Sequence, residues 1–161
     1  MRVVRANASM VGLDEIKQIL FHRGPMLLLD SVQIHNGRAY GRYKVGNQYC
    51  QNHEPLPGLP LMRGVDITEA GFQLLGVLIS KADGLEGLDR KMFVARESGA
   101  SKFARPVRVG DDLVLETDSC INMAEASGVW KLTSSRIIAM VGPTRVAAID
   151  FLVIAAVDRP V

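Results

Sequence analysis

Cysteine is nearly absent from this chain: there are 2, Cys50 and Cys120, in 161 residues. They have no metal-ligand spacing, and two buried free thiols are expected. A nucleophilic Cys50 beside His53 has no second feature behind it. Aromatics make up only 6% of the residues, so Leu, Val, Ile, Met and Ala must fill the core. No apolar run approaches the length that spans a bilayer, and Met1 to Ala6 lacks the long apolar segment of a secretory signal. A soluble, cytoplasmic protein that crosses no membrane is expected. The net charge is only +2. Its Lys and Arg are scattered, which argues against a nucleic-acid surface. There is no internal repeat and no low-complexity linker, so residues 1–161 read as one domain.

What the chain does have is a clear order of elements. Leu13 to Leu20 reads as a short helix with Ile16, Ile19 and Leu20 on one face. Met26 to His35 reads as an apolar-rich strand, Asn36-Gly37 as a hairpin turn, and Arg38 to Val45 as a half-exposed return strand. In that strand Ala39, Gly41, Tyr43 and Val45 face inward. Val65 to Ser80 carries no charge beyond Asp66 and Glu69 and is apolar around most of its circumference, the mark of a helix inside a protein. Gly71 and Gly76 weaken an isolated helix, so close approach to a sheet is expected there. Four strands follow, Lys91–Glu97, Asp112–Ile121, Val129–Ala139 and Arg145–Ala156, with turns near Gly110, over Ala124–Gly128 and at Gly142-Pro143-Thr144. The order predicts an α+β fold in which an antiparallel sheet wraps one buried helix. Exposed sheet edges point to pairing with a second copy.

The chemistry concentrates between His53 and Glu69. This stretch joins a histidine, a Pro/Gly-rich loop, a helix start at Gly64 and a carboxylate among apolar neighbours. An imidazole can take a proton near neutral pH. A carboxyl in an apolar site has its ionised form disfavoured and serves as a proton donor. The first N–H groups of a helix lack intrahelical partners and can bond a developing oxyanion. Each residue also has a plainer reading. His53 alone could be a surface histidine, Asp66 a first-turn acid, and Arg63 and Arg105 solvated charges. His22 is expected to hydrogen-bond the loop that leads to the first long strand, and His35 to be exposed. Trp130 and the methionines, Met62 among them, read as core or tunnel wall.

Three segments, in order, resemble the 3-hydroxyacyl-acyl-carrier-protein dehydratases. Leu20-Phe21-His22-Arg23-Gly24-Pro25-Met26-Leu27-Leu28-Leu29-Asp30 is similar to the family's His-Arg-x-Pro-Phe-Leu-Leu-x-Asp. Gly58-Leu59-Pro60 and Gly64 to Glu69 keep its Gly-x-Pro and the spacing from the last Gly to the acid. Lys102-Phe103-Ala104-Arg105-Pro106-Val107-Arg108-Val109-Gly110-Asp111 is similar to its Phe-x-x-Pro-Val-x-Pro-Gly-Asp.

The resemblance implies the hotdog fold, usually a dimer. It implies dehydration of (3R)-3-hydroxyacyl thioesters to trans-2-enoyl thioesters, in fatty-acid or specialised polyketide synthesis. By this resemblance His53 is the base, Glu69 the acid and Gly64 N–H the oxyanion donor. His53 and Glu69 are then contributed by different subunits. It further implies no cofactor and no metal. The substrate rides on the phosphopantetheine of acyl carrier protein, against Met62, Arg63, Phe103 and Arg105. Glu rather than Asp as the acid leans towards dehydration without isomerisation. A non-catalytic acyl-binding or heterodimer subunit, or a thioesterase using Glu69, stays open at this point. The sequence departs from the motif in places. Two extra residues separate His53 from Gly58, Glu54 stands where an aromatic is usual, Arg63 replaces a Pro, and a small insertion falls near Ser98–Ser101.

Overall fold

The computed structural model describes residues 2–3, 6–50, 53–82, 91–117, 122–126, 129–134 and 136–158. In chain order the elements are β1 (Arg2–Val3), β2 (Ser9–Gly12), α1 (Leu13–Ile19), β3 (Ser31–His35), β4 (Arg38–Lys44), α2 (Asn47–Cys50) and α3 (Gly64–Ser80). After these come β5 (Lys91–Ser98), β6 (Ser101–Phe103), β7 (Asp112–Thr117), β8 (Asn122–Ala126), β9 (Val129–Ser134), β10 (Ile137–Val141), β11 (Thr144–Ile149) and β12 (Leu152–Asp158).

The strands form a sheet of order β1-β8-β9-β12-β5 and a sheet of order β2-β3-β4-β7-β10-β11-β6. The two orders mirror each other. β8-β9-β12-β5 in one sheet corresponds to β7-β10-β11-β6 in the other, so each long strand runs through both halves and changes sheet midway. This is one strongly bent antiparallel layer closed around α3, the hotdog arrangement. The bends explain where the strand expectations fail. Val129–Ala139 is interrupted between Ser134 and Ile137, and Arg145–Ala156 at Asp150 and Phe151. The stretch near Ser98–Ser101, where an insertion is expected, is the bend between β5 and β6, tied by Gly99 N–H to Phe151 O (2.9 Å) and Asp150 N–H to Ala100 O (3.0 Å). The turn expected over Ala124–Gly128 starts too early, because Ala124 and Ala126 still pair with Lys131 and Val129. Residues 118–121, with Cys120, and 127–128 lie outside those described, as does the side chain of Trp130.

The helix α3 is buried nearly all round: Ile67, Ala70, Leu74, Leu75, Val77, Leu78 and Ile79 are all at most 3% exposed. Its glycines meet the surrounding wall. A Cβ on Gly71 would lie 2.9 Å from Leu152 Cδ1, and one on Gly76 would lie 3.3 Å from Leu20 Cδ2 and 3.6 Å from Phe93 Cδ2. The Asn36-Gly37 turn joins β3 and β4 with positive φ at both residues (51° and 72°), the conformation of a type I′ hairpin. In β4 the inward residues Ala39, Gly41 and Tyr43 are buried as the alternation predicts.

The expected strand from Met26 begins only at Ser31. Its first residues are taken by other partners. Gly24–Met26 is a 3-10 turn, and Leu28 N–H donates to the Gln73 side chain on α3 (2.8 Å) instead of to a neighbouring strand. Among the described residues no helix is long and apolar enough to cross a membrane.

Leu74 has no exposed surface. Leu74→Ala is expected to lower unfolding free energy by about 2–5 kcal/mol, measured by urea denaturation.

Candidate active site

Two concavities flank α3. They lie on different sides of the helix because Ile67 and Glu69, two residues apart at about 100° per residue, point in nearly opposite directions.

On one flank a groove of about 290 Å³ is lined by Met62, Gly64, Ile67, Phe103, Ala104, Arg105, Pro106 and Val107. It gathers four residues expected from sequence: Met62, Gly64, Phe103 and Arg105. Met62 N–H bonds Val107 O (2.9 Å), which fastens the segment before the helix to the Phe103–Val107 segment. The Phe103 ring rests on the helix start: a Cβ on Gly64 would come within 2.8 Å of Phe103 Cζ. Any side chain at position 64 would push that ring away and cover the first backbone N–H of the helix. Arg63 is the N-cap in extended conformation. Its guanidinium holds Asp66 through two bonds, Nε to Oδ2 at 2.8 Å and Nη2 to Oδ1 at 2.7 Å. The Asp66 hydrogen bonds, and then its charge, raise the Arg63 pKa above the usual value. Asp66 is buried and paired, the first-turn acid expected of it.

His53 sits at the neck of the loop before the groove. Its ring Nδ1 is 3.0 Å from Leu61 O. Leu61 N–H in turn donates to His53 O (2.9 Å), and His53 N–H to Cys50 O (2.8 Å). A carbonyl oxygen can only accept, so Nδ1 carries the hydrogen, and in the neutral ring Nε2 is left with a free lone pair. The same pair of bonds closes residues 53–61 into a loop with its own turn. Leu59 N–H bonds Leu56 O (2.9 Å), Gly58 takes positive φ (74°), and its N–H is capped by the Glu54 carboxylate. Beyond the neck Leu56 is 60% exposed.

On the other flank a cavity of about 380 Å³ opens beside Glu69. His22, Glu69 and Gln73 are its polar lining, and Ile19, Leu20, Phe21, Phe72, Met92, Phe93, Val94, Ala95 and Ile154 complete it. Glu69 Oε1 receives two neighbours: His22 Nε2 at 3.0 Å and Gln73 Nε2 at 3.1 Å. Gln73 is only 1% exposed. Its amide also donates to Met26 O (2.7 Å) and accepts from Leu28 N–H (2.8 Å), so the acid is braced to the segment that carries His22. His22 Nδ1 is buried with no partner among the described residues. A hydrogen there would be a buried unpaired donor, so the ring hydrogen belongs on Nε2, directed at Glu69.

His22 therefore bonds the acid rather than the loop leading into β3, as the sequence reading had it. It and Gln73 are the site residues that reading passed over. Both had a signal: His22 lies in the first motif, and Gln73 is one helical turn after Glu69. His53 lines neither cavity, so a single chain does not bring it onto the same cavity as Glu69.

With this geometry in view, the chain can be set beside known proteins. The FabA-like domain family model matches residues 20–147. This chain belongs to the FabA-like family. It is 32% identical over 126 residues to the 3-hydroxyacyl-[acyl-carrier-protein] dehydratase FabZ of Lawsonia intracellularis, covering 76% of this chain and 79% of that protein. To FabZ of Campylobacter hominis it is 37% identical over 108 residues, 65% of this chain and 73% of that one. Among solved structures, PA5202 of Pseudomonas aeruginosa, described as a conserved protein, superposes with a TM-score of 0.59 at 17% identity. It covers 88% of this chain and 98% of that one. Cj0977 of Campylobacter jejuni, a sigma28-regulated virulence protein, gives 0.56 at 15% identity, covering 92% and 91%. These two likenesses concern the fold.

Two outcomes are expected from the site's geometry. Gln73→Leu strands Leu28 N–H and Met26 O and should cost about 1–3 kcal/mol in stability, read by thermal and chemical unfolding. Cys50 is fully buried. Its thiol pKa is raised by burial first and by the Asp66 and Asp111 charges after it, so the reactive thiolate is scarce at neutral pH. In a Cys120→Ser background, iodoacetamide at pH 7.5 should label Cys50 at least about 10-fold more slowly in the folded protein than in urea.

Proposed function

We propose that this FabA-like protein dehydrates (3R)-3-hydroxyacyl thioesters carried on acyl carrier protein, giving trans-2-enoyl thioesters in fatty-acid biosynthesis. The observation that carries the reading is Glu69, a carboxyl whose Oε1 is held by two donors at the side of an otherwise apolar cavity. With Oε1 so occupied, Oε2 is the oxygen that carries a proton to the substrate.

The reaction balances with no other participant. His53 Nε2 takes a proton from C2. The electron pair released passes through an enolate-like state on the thioester, whose oxygen is met by the Gly64 N–H. The pair then forms the C2–C3 double bond as the C3–O bond breaks. Glu69 Oε2 protonates the departing hydroxyl, and water leaves. The proton on His53 then has to return to Glu69 before the next turnover. Met62 and Phe103 wall the groove beside Gly64. Arg105 lines it, where the phosphopantetheine arm of the carrier would pass, and Arg63 precedes Gly64 with its charge already paired to Asp66.

This reading requires a dimer. Within one chain the Gly64 groove and the Glu69 cavity lie on different sides of α3, so His53 and Glu69 serve one substrate only if each comes from a different subunit. The names of the FabZ relatives support the reaction and the carrier.

The test is turnover of a 3-hydroxyacyl carrier-protein thioester, followed by mass. His53→Ala and Glu69→Gln should each lower kcat by at least about 100-fold. Mixed after unfolding and refolding together, the two inactive variants should recover about a quarter of wild-type activity, because half the dimers then hold one intact site. Wild type without turnover sinks the reaction. Two active single variants sink the residue roles, and a mixture that recovers nothing sinks the shared site.

A further inference from the structure

We infer that Phe93 is the stop that sets the length of acyl chain this protein accepts; the inference rests on the acyl-thioester reading above. A second cavity of about 260 Å³ lies behind the Glu69 cavity, near the C-terminal end of α3, with Ser80, Lys81, Lys91, Glu15 and Gln18 in its lining. Among the described residues the two cavities share Ile19 and Phe93. Phe93 stands on β5 opposite Ala156 of β12. Its ring leans on α3 at Gly76, where a Cβ would meet Phe93 Cδ2 at 3.6 Å and Leu20 Cδ2 at 3.3 Å. Phe93 thus closes the apolar cavity one helical turn beyond Gln73.

Distance along α3 converts this into chain length. From Glu69 to Gly76 the helix rises about 10 Å, and from Gly76 to Ser80 about 6 Å more. An extended hydrocarbon advances about 1.25 Å per carbon, from C–C bonds of about 1.5 Å. With C3 beside Glu69, about eight further carbons reach Phe93, so acyl groups of about eleven carbons fill the cavity and longer ones meet the ring. Removing the ring would add room for about five carbons. The second cavity can receive them along the aliphatic stems of Lys81 and Lys91, whose ammonium groups are already paired with Glu15 and Asp158.

The experiment compares wild type, Phe93→Ala and Phe93→Leu on 3-hydroxyacyl carrier-protein substrates of six to sixteen carbons. In parallel, calorimetry follows binding of saturated acyl-pantetheine amides of the same lengths. Wild type should lose at least about 10-fold in kcat/KM between ten and fourteen carbons. Phe93→Ala should bring the two lengths within about 3-fold of each other, and Phe93→Leu should fall between. Thermal unfolding checks that both variants fold, and Phe93→Leu carries the test if Phe93→Ala does not. Wild type that handles fourteen carbons as well as ten, or folded variants that keep the wild-type limit, overturns the inference. Length-dependent binding without turnover would overturn the proposed reaction and leave the stop in place.

Discussion

Everything in this molecule depends on surrounding one helix that has no polar face to give to water. α3 is apolar around most of its circumference, and a helix of that kind is stable only if protein covers nearly every side of it. One flat sheet covers one side. The chain meets the need by bending four long strands midway, so that their two halves close on α3 from different directions. The glycines of α3 complete the fit. Leu152 packs so close on Gly71 that a Cβ there would lie 2.9 Å from its Cδ1 and make it shift, while Leu20 and Phe93 pack over Gly76.

The same enclosure makes the site. A carboxyl on a buried helix is costly unless it is hydrogen-bonded, and Glu69 is held by His22 and Gln73. Gln73 uses its whole amide, joining the acid to Met26 O and Leu28 N–H on the segment before β3. Leu27 to Asp30 is rich in apolar residues but is not strand, because its N–H groups go to unlike partners: Leu27 to Gly24 O, Leu28 to the Gln73 side chain and Asp30 to Arg42 O. The histidine follows a different logic. The 53–61 loop is closed at its neck by bonds between His53 and Leu61, and the ring is held there on Leu61 O.

A good deal of this was legible in the residues. Alternation in Arg38–Val45, the Asn36-Gly37 turn and the mostly apolar surface of Val65–Ser80 report local rules, and they stand in the structure. The groove beside Gly64 was legible too, because motif segments far apart in sequence pack against each other at Met62 and Val107. The midpoint bends were not legible. An apolar strand reads the same whether it runs straight or passes from one sheet to the next. The partner of His22 was missed for a similar reason: it stands 47 residues before Glu69 in sequence, and nothing local links the two.

The sequence by itself determined the elements and the chemistry at hand: one buried helix, the strands to wrap it, and a histidine, an acid and a helix start in a known order. These follow from periodicity and residue type, which act over a few positions. Only the tertiary structure decided which groups meet. It set His22 and Gln73 on Glu69, placed the Gly64 groove and the acid on different sides of α3, and held His53 Nδ1 on Leu61 O. Those outcomes depend on how a closed sheet orients distant segments around a common core, and no local pattern encodes that.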